Sequence, residues 1–95
     1  NAPVVNALDG QFVRIPGFVV PLDADFKNMK SFLLVPYFGA CIHTPPPPPN
    51  QIIHVVADKP VRGNDLLADA VWITGVMSVK RSSTELADAG YVLRM

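Results

Sequence analysis

Residues 11 to 22 read QFVRIPGFVVPL, a run rich in valine, isoleucine and phenylalanine that is interrupted once, by Pro16-Gly17. Such residues favour β-strands, because branched and aromatic side chains pack well on a pleated surface. Proline cannot donate to a sheet ladder, and glycine adopts dihedral angles that other residues avoid. The run therefore predicts a long strand with a bulge or sharp bend near its middle.

Four further segments show the same strand character. They are SFLLVPYF at 31–38, QIIHVVA at 51–57, VWITGVMSV at 71–79 and YVLRM at 91–95. Gly75 lies at the centre of the fourth strand and predicts a second sharp bend. The polar stretch 23–28 predicts a hairpin loop, and the segment 58–70, which contains Lys59-Pro60, predicts a longer loop.

One short helix is predicted near residues 83 to 89. Ser82 stands three residues before Glu85, which is the spacing of a capping box, in which each side chain accepts a backbone N–H of the other residue. Gly90 occupies the position of a C-terminal capping glycine. These signals place the helix between the fourth and fifth strands.

Together these elements predict a mainly β fold, a small five-stranded OB-like barrel with one short helix near the C-terminus. A closed, curved sheet lets a short chain bury its inner face and hide its edges. An open, sandwich-like sheet is the alternative, since the helix position differs from the usual OB order. Residues 1–10 are predicted as a lead-in segment and residues 11–95 as a single barrel domain. The predicted core contains Val13, Phe18, Val20, Phe32, Leu34, Ile52, Val55, Trp72, Ile73, Val76, Leu86 and Val92.

The charge balance argues against two classes of partner. Eight basic and eight acidic residues give a net charge of zero over 95 residues. Nucleic acids and anionic membrane surfaces require clustered lysine and arginine, which this chain lacks. No apolar run approaches the roughly 20 residues that span a bilayer. Because the chain begins at Asn1 without methionine, we expect a processed or trimmed protein, so that any targeting segment would lie outside this sequence.

The only cysteine, Cys41, stands two residues before His43. In an extended strand these side chains share one face, roughly 7 Å apart along the backbone, and thiolate plus imidazole suits zinc. A firm zinc site needs a third ligand, and His54 on the next strand is the candidate, although a one-residue shift in strand register decides whether it faces the same side. The alternative has Cys41 as a small buried residue and His43 bonded to backbone. A thiol-dependent enzyme using Cys41 is a further alternative.

Five consecutive prolines, Pro45, Pro46, Pro47, Pro48 and Pro49, follow this pair. They predict a polyproline II rod of roughly 15 Å, at about 3.1 Å per residue. Such a rod suits a partner with an aromatic groove, or else serves as a stiff cover over the barrel mouth. Tyr37 and Trp72 belong either to the core or, if they are exposed, to a partner-binding surface.

The chain resembles the bacterial DUF3299 family in IPGFVVPL at 15–22, FLLVPYFGACIH at 32–43, the prolines, Asn50-Gln51 and VWITG at 71–75. The resemblance runs from about Gln11 to the end of the chain. It implies an exported protein, periplasmic or anchored to the membrane on the periplasmic side. It also implies an ABC-transporter context, because some members are encoded beside transporter components in zinc-responsive gene clusters.

From this resemblance and the motif we predict a non-enzymatic accessory protein. It would act with a protein partner from an ABC-type transport system, with metal (zinc) homeostasis as a candidate role and zinc as the candidate cofactor. A protein-interaction module that uses the polyproline segment is the alternative function.

Overall fold

The computed structural model describes residues 4–22, 28–37, 48–62, 70–84 and 87–95. Within these residues the fold is almost entirely strand. The strands are β1 (Phe12–Pro21), β2 (Met29–Val35), β3 (Ile53–Val61), β4 (Val71–Ser83) and β5 (Asp88–Arg94), and short 3-10 turns cover Asn6–Leu8 and Pro49–Gln51. No helix among the described residues is long and apolar enough to cross a bilayer.

The five strands pair in a closed ring in the order β1-β2-β3-β5-β4, with β4 returning to β1. Only the β3–β5 pair is parallel, and the other four are antiparallel. Each strand therefore has two neighbouring strands, each paired over part of its length. The prediction of a mainly β fold with five strands is confirmed.

β1 closes the ring because it changes partner at its centre. Residues Phe12 to Gly17 pair with β4, whereas Phe18 to Pro21 pair with β2. A Cβ atom on Gly17 would lie 2.7 Å from Leu34 Cγ and 2.9 Å from the Val35 carbonyl oxygen. The Pro16-Gly17 pair thus marks the point where β1 passes from one neighbour to the other, with β2 packed closely against it.

The core lies inside the ring. Because successive side chains of a strand point to opposite faces, alternate residues contribute to it. All five strands contribute to this inner cluster, which consists of Val19, Met29, Phe32, Leu34, Ile53, Val55, Ile73, Met77, Tyr91 and Leu93. A second buried cluster lies on the other side of β1 and β2 and contains Val20, Leu33, Val35, Ile52 and Ala89. The core prediction is confirmed for Val20, Phe32, Leu34, Ile52, Val55 and Ile73.

The core prediction is wrong for two residues of β4. Trp72 is 58% exposed and Val76 is 43% exposed. Both are separated from the inward-facing Ile73 by an odd number of positions, so the period of two in a strand turns them outward. Val13, Phe18 and Val92 are half-buried, and Leu86 lies outside the described residues.

The predicted helix near residues 83 to 89 is also wrong. β4 continues to Ser83 and β5 begins at Asp88, with Ser82 opposite Ala89 and Ser83 opposite Asp88. The Thr84 N–H donates to the Ala87 carbonyl at 3.1 Å, and the Ala87 N–H donates to Thr84 Oγ1 at 3.2 Å. A capping signature is a local preference worth about 1 kcal/mol, and the pairing of two long strands outweighs it.

The described part of the lead-in segment is bonded onto the ring. The Val5 N–H donates to the Tyr91 hydroxyl at 2.8 Å, and the Gly10 N–H donates to the Met77 carbonyl at 2.7 Å. Asp9 accepts a hydrogen bond from the Val79 N–H at 2.9 Å. Gly10 has a positive φ of 78°, a conformation that glycine adopts without steric cost.

Candidate interaction surface

The outward side of the β1–β4 ladder carries a continuous set of exposed side chains. Phe12 is opposite Val76, Arg14 is opposite Thr74, and Pro16 is opposite Trp72. Phe12 is 74% exposed, which is the highest value among the large apolar residues that the structure describes. We call this surface the outer face, and it consists of Phe12, Arg14, Pro16, Trp72, Thr74 and Val76.

The alternation of both strands places these side chains outside. Val13 and Ile15 of β1 and Ile73 of β4 pack on the inner cluster. Their immediate neighbours must therefore point away from the core, since successive side chains of a strand leave opposite faces. The inward side chains of the β1–β4 ladder pack in the core, and the outward side chains are available for other contacts.

Arg14 and Trp72 are in direct contact on the outer face. The guanidinium carbon of Arg14 lies 4.6 Å from the centre of the Trp72 ring system, which is a cation–π geometry. At an exposed site such a contact is worth about 0.5–1 kcal/mol and restricts both side chains. The contact holds the indole in place before any partner arrives.

A second arginine lies beside the outer face. Arg94 of β5 is exposed and stands opposite Val76, so that Phe12, Val76 and Arg94 form one row across three strands. None of the outer-face residues carries a carboxylate. The described surface here is apolar, aromatic and positively charged.

A cavity of about 200 Å³ adjoins the Pro16 end of the outer face. Pro16 and Pro36 both line it, together with Gln51. Tyr37, which follows Pro36 in the chain, is 44% exposed. The two aromatic residues proposed for partner binding, Tyr37 and Trp72, are thus both exposed.

Most of the other predicted site residues lie outside the described residues. These are Cys41, His43, Pro45, Pro46 and Pro47. Pro48 has φ −61° and ψ 153°, in the polyproline II region, and Pro49 begins the turn Pro49–Gln51. Among the described residues no group of three or more histidine, cysteine, aspartate or glutamate side chains could hold a metal ion.

His54, the proposed third zinc ligand, has a different partner. It stands on β3 between Leu33 and Val92, and its Nδ1 shares a hydrogen bond of 2.7 Å with Ser82 Oγ. Its Nε2 is buried and has no hydrogen-bond partner among the described residues. Ser82, which the sequence predicts as a helix cap, instead connects β4 to β3 through this hydrogen bond.

Burial lowers the pKa of His54 from its usual value of 6.5. The unfolded chain therefore binds a proton at a higher pH than the folded chain does. Linkage then requires that stability fall as the pH drops through about 6.5, and that the fall end below the folded pKa. Because the charged ring would also be partly buried, with no hydrogen-bond partner for Nε2 among the described residues, we expect the loss to be measurable by urea denaturation.

The matched control is His54→Gln, which cannot titrate in this range. Urea denaturation at pH 8 to 5 should show a steeper loss of stability in the wild type than in the variant. Equal pH dependence in the two proteins would mean that His54 has the same pKa folded and unfolded. Since His43 is present in both proteins, its titration cancels in the difference.

Comparison with known proteins gives one family. The family model "Protein of unknown function (DUF3299)" matches residues 1–95. No match is found among curated proteins. A crystal structure of a DUF3299 family protein from Pseudomonas aeruginosa PAO1 is similar, with 48% sequence identity and a TM-score of 0.90. The match covers 99% of this chain and 63% of that protein, so the chain spans less than two thirds of its relative's length. This chain belongs to the DUF3299 family, whose function is unknown.

Proposed function

We propose that this domain is a non-enzymatic protein-interaction module and that the outer face is its contact surface. The observation that carries the proposal is the exposure of Phe12, Trp72 and Val76 together on one side of a two-stranded ladder. Scattered exposed apolar residues are ordinary, but a contiguous patch of them is typical of a binding site.

The energetics of the patch support binding. Burying a large apolar side chain is worth about 1.5–3 kcal/mol relative to leaving it in water. The isolated chain forgoes most of this free energy at Phe12 and Trp72, which are 74% and 58% exposed. Tryptophan and arginine are also the residues most enriched among those that dominate protein interfaces. A partner that covers Trp72 and Arg14 would gain binding free energy from contact with both side chains.

The outer face offers a partner mainly side chains. Its residues lie where β1 and β4 are already paired with each other. Recognition there would therefore depend on side chains rather than on an added strand. The strand order β1-β2-β3-β5-β4 supports the further proposal that the ring is an OB-like barrel, a fold that binds ligands on outward side chains and adjoining loops.

The remaining roles rest on family resemblance or on residues outside the described ranges. We propose that the protein works as an exported accessory of an ABC-type transport system, periplasmic or anchored on the periplasmic side, with a transport component as its partner. Zinc binding by Cys41 and His43, a contact through Pro45 to Pro49, and thiol chemistry at Cys41 stay predictions. Of the two aromatic residues predicted for partner binding, Trp72 belongs to the outer face, and Tyr37 is exposed but is not part of it.

Site-specific photo-crosslinking tests the proposed function. Thr74, at the centre of the outer face, is replaced with p-benzoylphenylalanine in the cells that naturally make the protein. We expect a discrete adduct with another protein, and we expect Trp72→Ala in the same chain to abolish it. The same substitution at Lys59 of β3, a strand that pairs with neither β1 nor β4, is the matched control.

An adduct from position 74 that is absent from position 59 and needs Trp72 supports the interaction module. No adduct from position 74, or equal adducts from both positions, would contradict it.

A further inference from the structure

We infer that the partner of the outer face presents an acidic side chain next to an apolar one, on a short extended segment. This inference rests on the proposed function and specifies the chemistry of the partner. It follows from the charges on and beside the outer face, from the position of Arg14 over Trp72, and from the dimensions of the ladder.

Among the residues that the structure describes, no carboxylate pairs with the positive charge at the outer face. Arg14 and Arg94 have no ion-pair partner among the described residues. The ion pair that the described residues do contain, Arg81–Asp88 at 3.3 Å, lies at the β4–β5 hairpin. Asp9 is bonded to the Val79 N–H. Within the described residues, two guanidinium groups on one apolar surface are therefore not paired with a carboxylate.

Arginine in this setting selects a carboxylate. The guanidinium carbon of Arg14 lies 4.6 Å from the centre of the Trp72 ring, and Arg14 is exposed, so that a ligand bound over Trp72 can also reach the guanidinium. A carboxylate can accept two parallel hydrogen bonds from a guanidinium edge, which gives direction as well as affinity. The indole, Phe12 and Val76 beside it offer apolar contact to the neighbouring side chain of the same ligand.

The ladder sets the length of the segment. Phe12 to Pro16 spans four residue steps, or roughly 13 Å at about 3.3 Å per residue. An extended peptide of about five residues covers this distance. Side chains two residues apart on the peptide would reach successive rows of the outer face.

Two other occupants fit the charges less well. In a symmetric contact with a second copy, Arg14 and Arg94 would face the same arginines, and like charges across an interface disfavour association. A nucleic acid needs a cluster of basic residues to displace its counterions. Two arginines on a chain with no net charge do not provide one. Both occupants are separate outcomes of the test below.

A random peptide-display selection against the whole chain provides the test. Peptides that bind the wild type and fail to bind Trp72→Ala are sequenced, and we expect aspartate or glutamate beside a large apolar residue. Tryptophan-free synthetic versions are then titrated, with fluorescence of Trp72, the single tryptophan of the chain, as the signal. Replacing the peptide carboxylate by its amide should weaken binding about tenfold, since hydrogen bonds between oppositely charged groups are stronger than those of a neutral amide.

Arg14→Gln should cause a similar loss for the acidic peptide and little further loss for the amide. Arg62→Gln, at an exposed position outside the outer face, is the control and should leave affinity unchanged. Trp72-dependent peptides without an acidic preference would overturn this inference while leaving the interaction module intact. The absence of any Trp72-dependent peptide would count against both. If the wild type instead forms a dimer or binds an oligonucleotide, and Trp72→Ala abolishes that complex, the occupant of the outer face would be the second copy or the nucleic acid and not an acidic segment.

Discussion

Replacing Gly75 with alanine is expected to lower the free energy of unfolding by about 3 kcal/mol. A Cβ atom at this position would meet the carbonyl oxygen of Arg94 and would lie 2.6 Å from Leu93 Cδ2. Because the first obstacle is backbone, it cannot rotate away as a side chain can. β5 would have to move off β4, and the pairing of Val76 with Arg94 would be strained. Urea denaturation of the variant beside the wild type measures the change.

Gly10→Asn is the matched control for Gly75. Gly10 has a φ of 78°, and an added Cβ would have nothing within 4 Å. Asparagine tolerates this left-handed conformation better than other residues with a Cβ do. We expect the control to lose much less stability than Gly75→Ala. Equal losses in the two variants would show that close strand approach is not what Gly75 provides.

The second large effect is expected for Phe32→Ala, which should cost about 3 to 5 kcal/mol of stability. Phe32 is fully buried in the inner cluster, and it stands between Pro21 of β1 and Val55 of β3. Truncating its ring would leave a cavity where three strands meet inside the ring. A domain whose total stability is about 5–15 kcal/mol would lose a large part of it.

Phe12→Ala removes the same ring from the outside. Phe12 is 74% exposed and is paired with the exposed Val76. Surface substitutions of this kind change stability by about 0.5 kcal/mol or less. Thermal and urea unfolding of the two variants should therefore differ widely, although each has lost one phenylalanine ring. A large destabilisation by Phe12→Ala would mean that the outer face contributes to folding.

The strands were predictable from local composition, and their ends were not. Branched and aromatic runs identified all five strands. β3, however, continues through Lys59 and Pro60 to Val61, where the sequence suggested a loop, because Met29 of β2 pairs with Val61. A proline can be accommodated where the ladder does not need its N–H. That condition depends on the neighbouring strand and cannot be seen locally.

The error at the C-terminus has a similar cause. Ser82, Glu85 and Gly90 each favour a helix boundary, yet Ser82 pairs with Ala89 across the β4–β5 hairpin. Its hydroxyl bonds His54, which is 28 residues earlier in the chain. Local signals were correct as preferences, and long-range pairing overruled them.

The candidate surface was only partly predictable. Trp72 and Tyr37 were identified as partner-binding residues if exposed, and both are exposed. Phe12 and Arg14 were missed, although alternation with the inward-facing Val13 and Ile15 already turns them outward. The contact of Arg14 with Trp72 depends on the register of β1 against β4, strands that lie about 60 residues apart in sequence. The register of β1 against β4 cannot be predicted from a single sequence.

The most direct test of the outer face is to measure folding and binding together in Trp72→Ala. We predict that the free energy of unfolding changes by about 1 kcal/mol or less, since Trp72 is 58% exposed and its contact with Arg14 lies on the surface. We also predict that the photo-crosslinked adduct from position 74 disappears. A variant that folds normally and still forms the adduct would contradict the account, and so would one that loses several kcal/mol of stability.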